Sequence, residues 1–249
     1  MNGFNFFKNG LYGNKIIKLA KKYDIVQSSE YDQIYNIKLS KKIGEKLIIY
    51  LGPYYDKFNK GYNLKCKIFD NIFLKLNNEY KKIPIITKST LATEFIKNKK
   101  FSNVVTIGVG LDEENFSKTK MDIENKAIEE LKNAKERKKY LLYIGKIEER
   151  RNIKQLLKIT KEIYKQNKNI KLIIVGNGEK TYVEECFNYA KDIGIINCVT
   201  HIKSMRQDEL LELYNLCDVF LLPTSYDIFG MVLLEAMYQG LPVITTPNG

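Results

Sequence analysis

Short β-rich apolar runs alternate along the chain with stretches of helical period, a pattern that predicts parallel α/β sheets. In the first half, Asp24–Gln27, Lys46–Leu51, Pro84–Thr87 and Val104–Ile107 read as strands. Between them the periodicity predicts a helix over Tyr31–Ile43, stopped at Gly44. A second is predicted over Tyr62–Tyr80, with Leu64, Ile68, Ile72, Phe73 and Leu76 on one face. A third covers Thr90–Asn98 and begins at Ser89, a side chain suited to capping. In the second half the strands are Tyr140–Ile144, Lys171–Val175, Val199–Ile202, Val219–Leu222 and Pro242–Thr246. The helices are Asn152–Gln166, Lys180–Lys191, Gln207–Leu216 and Gly230–Gln239, with Ser204 and Gln207 spaced as a capping box and Gly240 and Pro242 closing the last helix.

Residues 113–138 are polar and charged, with helical propensity over Ile123–Arg137, and read as the connection between two domains, 1–118 and 119–249. The pattern opens on a helix without a preceding strand and glycine-rich turn, and it stops at Gly249, just after a strand of buried type, with no closing helix. A doubly wound domain usually has both, so the chain is expected to be cut at both ends.

Apolar residues make up 44% and charged residues 28%, the balance of a globular chain rather than a disordered one. The apolar runs are strand-sized, short of the roughly 20 residues that span a bilayer. Phe4, Phe6 and Phe7 precede any lysine, unlike a signal peptide, which predicts a cytoplasmic protein. Four cysteines without a Cys-x-x-Cys pair, and one histidine, His201, argue against a zinc site and against a histidine-dependent nucleophile. The net charge of +12 is uneven: residues 1–118 carry 21 Lys and Arg against 11 Asp and Glu, and residues 119–249 carry 20 against 18. The basic half suits an anionic membrane or acceptor, and equally suits solvated lysines with no partner.

In open parallel sheets, ligands bind beyond the carboxyl ends of the strands. Four loops of the second half stand there: Gly145–Arg151, Gly176–Gly178, Lys203–Arg206 and Pro223–Gly230. Lys146 and Arg151 have the charge to hold a diphosphate, although from the loop alone a basic surface turn is the simpler account. Gly176 and Gly178 let backbone approach a phosphate, or serve only to turn the chain. The last loop carries Asp227 and leads into a helix whose exposed N–H groups around Phe229–Val232 face an anionic or polyhydroxylated ligand. Glu235 follows within an otherwise apolar helix, where an acid needs a partner.

The run from Cys217 to Gly249, CDVFLLPTSYDIFGMVLLEAMYQGLPVITTPNG, closely resembles the donor-site signature of group-one (family 4) glycosyltransferases, and LLYIGKIEERRN, Leu141–Asn152, resembles that family's basic loop. Fainter echoes are Lys171–Gly178, GVGLDEENF at Gly108–Phe116, and Asp24–Gln33. The resemblance implies a GT-B architecture, two Rossmann-like domains facing a cleft, and transfer of a sugar from a nucleotide-diphosphate-sugar to a polysaccharide, glycolipid or related sugar or lipid-linked acceptor, with retention and without a metal or other cofactor. It implies that Lys146 and Arg151 grip the diphosphate and Asp227 contacts the transferred sugar. Glu235 meets the ribose. Gly145, Gly176, Gly178, Ile228, Phe229, Gly230, Met231 and Val232 bring backbone to the donor, and Met205 lies by the base. Departures are Asp227 where the family usually has Glu, and Lys146 then Arg151 where it has Arg then Lys. Histidines common after the family's first strands are absent; Glu30, Tyr54 and Tyr55 stand in that region as acceptor contacts or as surface residues. Two other readings compete: a non-catalytic relative of the same fold, and, as the weakest, a nucleic-acid binder. The last is disfavoured because the basic residues are overwhelmingly lysine and form no recognisable module, so no nucleic-acid partner is expected.

Overall fold

The computed structural model describes residues 14–116, 125–134 and 138–247, which divide into two compact α/β units, one up to Val109 and the other from Gly110. The division falls before the charged 113–138 stretch. The helix predicted over Ile123–Arg137 lies partly outside the described residues.

The first unit is a parallel sheet of β1 (Val26–Ser29), β2 (Leu47–Leu51), β3 (Ile85–Thr87) and β4 (Val104–Thr106), in that order across the sheet. Its helices are α1 (Asn14–Ala20), α2 (Ile34–Ile43), α3 (Lys60–Phe69) and α4 (Thr90–Lys97). Ser89 caps α4 as expected, its Oγ accepting from the Ala92 N–H at 3.3 Å. Two expectations fail here. The α2 helix starts at Ile34, because Tyr31 and Asp32 are instead buried in the approach to it. The stretch Tyr62–Tyr80 is not one helix: α3 passes into a π turn over Asp70–Leu74, and a 3-10 turn follows over Asn78–Lys82. Within α3, Cys66 and Phe69 are buried and Leu64 is exposed; the extra residue in the π turn then rotates the later side chains, so Leu74 is buried while Leu76 is exposed.

The second unit is a five-stranded parallel sheet in the order β7 (Val199–Ile202), β6 (Ile170–Val175), β5 (Lys139–Ile144), β8 (Val219–Leu222), β9 (Val243–Thr245). Central strands of a sheet covered on both faces read as continuous apolar runs, and β5 and β6 do: Leu142, Tyr143, Leu172, Ile173 and Ile174 are fully buried. At the edge, β9 is not the buried strand its composition suggested, since Ile244 is exposed. The helices are α5 (Glu113–Phe116), α6 (Lys126–Lys132), α7 (Ile153–Gln166), α8 (Lys180–Asp192), α9 (Gln207–Leu216) and α10 (Met231–Tyr238). Rather than a free connector, α6 belongs to this unit. Its Ile128 and Leu131 are buried, Lys132 pairs with Glu212, and Asn125 at its cap donates to Glu209 at 3.0 Å. The capping box of α9 also differs from expectation. The Arg206 N–H donates to Glu209 at 2.6 Å, and Ser204 lies outside the helix start. All four cysteines are free, with Cys66, Cys186 and Cys198 buried. No helix among the described residues is long and apolar enough to cross a membrane.

Candidate functional site

Within the second unit β5 is bonded to β6 on one side and β8 on the other, so the strand order reverses beside it. The loops leaving β5 and β8 therefore border the position at which doubly wound sheets take ligands. These loops are sewn together. The Arg150 guanidinium donates to the Tyr226 carbonyl at 2.7 Å and pairs with Glu148 at 2.6 Å. The Arg150 carbonyl accepts from the Ser225 N–H at 2.8 Å and from the Thr224 hydroxyl at 3.1 Å. Asn152, held in the left-handed region at φ 53°, donates to the Pro223 carbonyl at 2.8 Å and to the Ser225 hydroxyl at 2.7 Å.

That stitching brings two expected site residues together. Arg151 Nη1 donates to Asp227 Oδ2, each side chain being 13% exposed. The other Asp227 oxygen accepts from the Ile228 N–H at 2.8 Å, turning the carboxylate toward the start of α10. Gly230 caps that helix at φ 82°, where a side chain would be strained. Ile228, Phe229, Met231 and Val232 are half-buried around it.

The glycines after β6 have a packing reason that the sequence did not reveal. A Cβ on Gly176 would lie 1.9 Å from the Gly145 carbonyl oxygen, and one on Gly178 would lie 1.9 Å from that of Ile147. The loops after β5 and β6 thus continue the ladder: the Gly145 N–H donates to Val175 at 3.0 Å and the Ile147 N–H to Asn177 at 2.9 Å. Lys146 is exposed on this platform and lines a cavity of about 450 Å³ with Asn177, Gly178, Glu179 and Tyr182. A larger hollow of about 570 Å³ in the first unit, lined by Gly44, Asn78 and Pro84, sits at the amino ends of β2 and β3, the wrong end of a parallel sheet for a ligand.

Glu235 has the partner its apolar helix required. The phenol of buried Tyr214 donates to Glu235 Oε2 at 2.9 Å. Burial pushes the Glu235 carboxyl above its usual range, and hydrogen bonds from Tyr214 and Gln207 oppose that shift. Met205 is half-buried against the core of the unit. His201 stacks on Phe187 and its Nε2 lies 2.8 Å from the Gly176 carbonyl, a structural placement.

In the first unit Glu30 follows β1 in the left-handed region, and its carboxyl is pushed up to about 7, chiefly by burial and then by Asp32, against the pull of Lys88 and Lys65. Tyr54 is buried. The hydroxyl of half-exposed Tyr55 accepts from Lys99 at 3.1 Å while its ring packs edge-on against Phe95. The sequence did not single out Arg150, Asn152 or Tyr214. The signal was slight: an Arg–Arg–Asn run in a strand-to-helix turn, and a tyrosine one helix away from an isolated acid.

Residues 122–249 match the family described as glycosyl transferases group 1. The chain belongs to this family. An uncharacterized glycosyltransferase of Methanocaldococcus jannaschii is 32% identical to this group 1 glycosyl transferase over 113 residues, which are 45% of this chain and 28% of the relative. The lipopolysaccharide 1,2-N-acetylglucosaminetransferase of Salmonella typhimurium is 32% identical over 117 residues, 44% of this chain and 30% of its own. Among solved structures, Anabaena HepE in complex with UDP superposes with a TM-score of 0.74 at 17% identity, covering 94% of this chain and 63% of its own. The matched stretches thus cover less than a third of the length of those two relatives, and the superposition covers under two thirds of the solved one. The fold of this group 1 glycosyl transferase is of the GT-B type, with Rossmann-like α/β units.

Proposed function

We propose that this group 1 glycosyl transferase moves a sugar from a nucleoside-diphosphate-sugar to a polysaccharide, glycolipid or related acceptor, as a family 4 enzyme that retains the anomeric configuration. The observation that carries the reading is the junction of Arg151 and Asp227 where the β5 and β8 loops meet at the switch point. The names of its relatives and the UDP bound by HepE point the same way. Arg151 and Lys146 take the diphosphate and stabilise its charge as it leaves. Asp227 accepts hydroxyls of the transferred sugar, and Glu235, steadied by Tyr214, accepts those of the ribose. The Gly145, Gly176 and Gly178 backbone and the start of α10 approach the phosphates, and Met205 flanks the base. Transfer uses neither a protein nucleophile nor a metal. Glu30 and Tyr55 lie on the acceptor side, and the lysine-rich first unit rests against the anionic inner face of a membrane in the cytoplasm.

The test is differential scanning calorimetry with ADP, GDP and UDP. One of them raises the melting temperature of the protein, Lys146→Ala or Glu235→Ala removes the effect, and EDTA leaves it in place. Absence of nucleotide binding would sink the proposal. Donor binding without transfer or hydrolysis across an acceptor panel, unrelieved by Asp227→Glu, would favour a non-catalytic relative.

A further inference from the structure

The proposed function sends Arg151 to the diphosphate and Asp227 to the sugar, yet these side chains are bonded to each other. The pair is largely sheltered, and Asp227 is oriented by its own loop through the Ile228 N–H. Arg151 is nevertheless incompletely served. Glu148 Oε1 is ion-paired with Arg150 at 2.6 Å and stands 4.0 Å from Arg151 Nε, too far to bond it, and both of these buried atoms lack a hydrogen-bond partner. An arginine with one face on a carboxylate and another N–H unsatisfied is a natural seat for a second anion.

We infer that Asp227 is a specificity-determining residue that competes with the nucleotide's diphosphate for Arg151 and yields it only when sugar hydroxyls replace the guanidinium as its partner. The inference rests on the donor-binding reading above. A donor carrying its sugar satisfies both groups at once: the diphosphate takes Arg151 and the hydroxyls donate to Asp227. A bare nucleoside diphosphate offers the carboxylate nothing, so Asp227 stays on Arg151 and the diphosphate keeps only its remaining contacts. The site then prefers substrate to product, and the spent nucleotide is released without any moving lid.

Titration calorimetry with UDP, ADP and GDP, on wild type, Asp227→Asn, Arg151→Gln and the double variant, tests this, with folding followed by circular dichroism. Asp227→Asn is nearly isosteric and should bind the preferred diphosphate roughly tenfold more tightly, the worth of one charge-assisted hydrogen bond. In the Arg151→Gln background the same substitution should change affinity less than about twofold, because the competition is gone. An unchanged diphosphate affinity in Asp227→Asn overturns the inference. So does a tightening of equal size in both backgrounds, which would mean simple repulsion between carboxylate and phosphate. Failure of every form, wild type included, to bind any diphosphate would bring down the donor-binding reading as well. Should Asp227→Asn not fold, Asp227→Ser carries the same comparison.

Discussion

Substitution of Gly176 by alanine should be among the most damaging single-methyl changes in the second unit. The new Cβ would sit 1.9 Å from the Gly145 carbonyl oxygen, and the residue holds φ 146°, a conformation that side chains resist. Relief requires the end of β6 to swing away from the β5 loop, against the bonds from Gly145 to Val175 and from Ile147 to Asn177. Loss of those two bonds costs about 1 kcal/mol each. Backbone strain adds about 1–2 kcal/mol, and the displaced packing about 1 more. The sum, about 4–5 kcal/mol, is a large part of the roughly 5–15 kcal/mol that holds a domain folded. At about 2–4 °C per kcal/mol, the melting transition of this unit should fall by roughly 8–20 °C. Gly194→Ala is the control: it also has a positive φ, 76°, but nothing lies within 4 Å of its new Cβ. It should cost only the strain, about 1–2 kcal/mol. Scanning calorimetry of both variants isolates the steric contribution. Equal melting temperatures for the two would refute the close backbone packing described here. Because the displaced loop carries Lys146 and Arg151, the Gly176 variant should also bind donor more weakly than the control.

Three further outcomes are expected. Arg150→Ala removes the clamp on the Tyr226 carbonyl, so the donor KM should rise about tenfold, and Arg150→Lys should not restore it because lysine lacks the two-sided fork; a wild-type KM in the lysine variant would contradict this. Tyr214→Phe removes a hydrogen bond that holds the Glu235 carboxyl down; on the proposed role of the ionised acid, donor binding should then fail at a higher pH than in wild type as the solution is acidified, and an unmoved acid limb of the binding profile would count against Glu235 as the ribose contact. The Glu30 carboxyl is raised in the folded state from the ordinary 4.5 to about 7, so the fold retains a proton that the unfolded chain has released, and the first unit should lose stability as pH climbs through that window. Glu30→Gln should flatten that fall in melting temperature between pH 5 and 8, and an unchanged slope would show that burial does not perturb Glu30.

Strand positions were legible because buried parallel strands announce themselves as apolar runs, and β5, β6 and β8 lie within two residues of expectation at either end. The π turn after α3 was not, because one extra residue in a single turn leaves no trace in composition while it leaves Ile72 and Leu76 outward. For the site, Asp227 and Arg151 were named from motif and charge, but their mutual bond depends on how two distant loops are stitched. Arg150, Asn152 and Thr224 do that stitching through main-chain carbonyls and amides, which a sequence does not distinguish from solvent contacts. Tyr214 was hidden for a similar reason: its apolar ring explains its burial, and the acceptor of its hydroxyl lies on another helix.

The seam between Glu148–Asn152 and Pro223–Asp227 also limits how the proposed donor site can be redesigned. A loop transplanted from a relative into either position would arrive without the complementary carbonyls and donors of the other, and would present its acid or its guanidinium out of register. Chimeras of this chain should therefore exchange both segments as one cassette, with position 150 chosen to suit the backbone it must grasp across the seam.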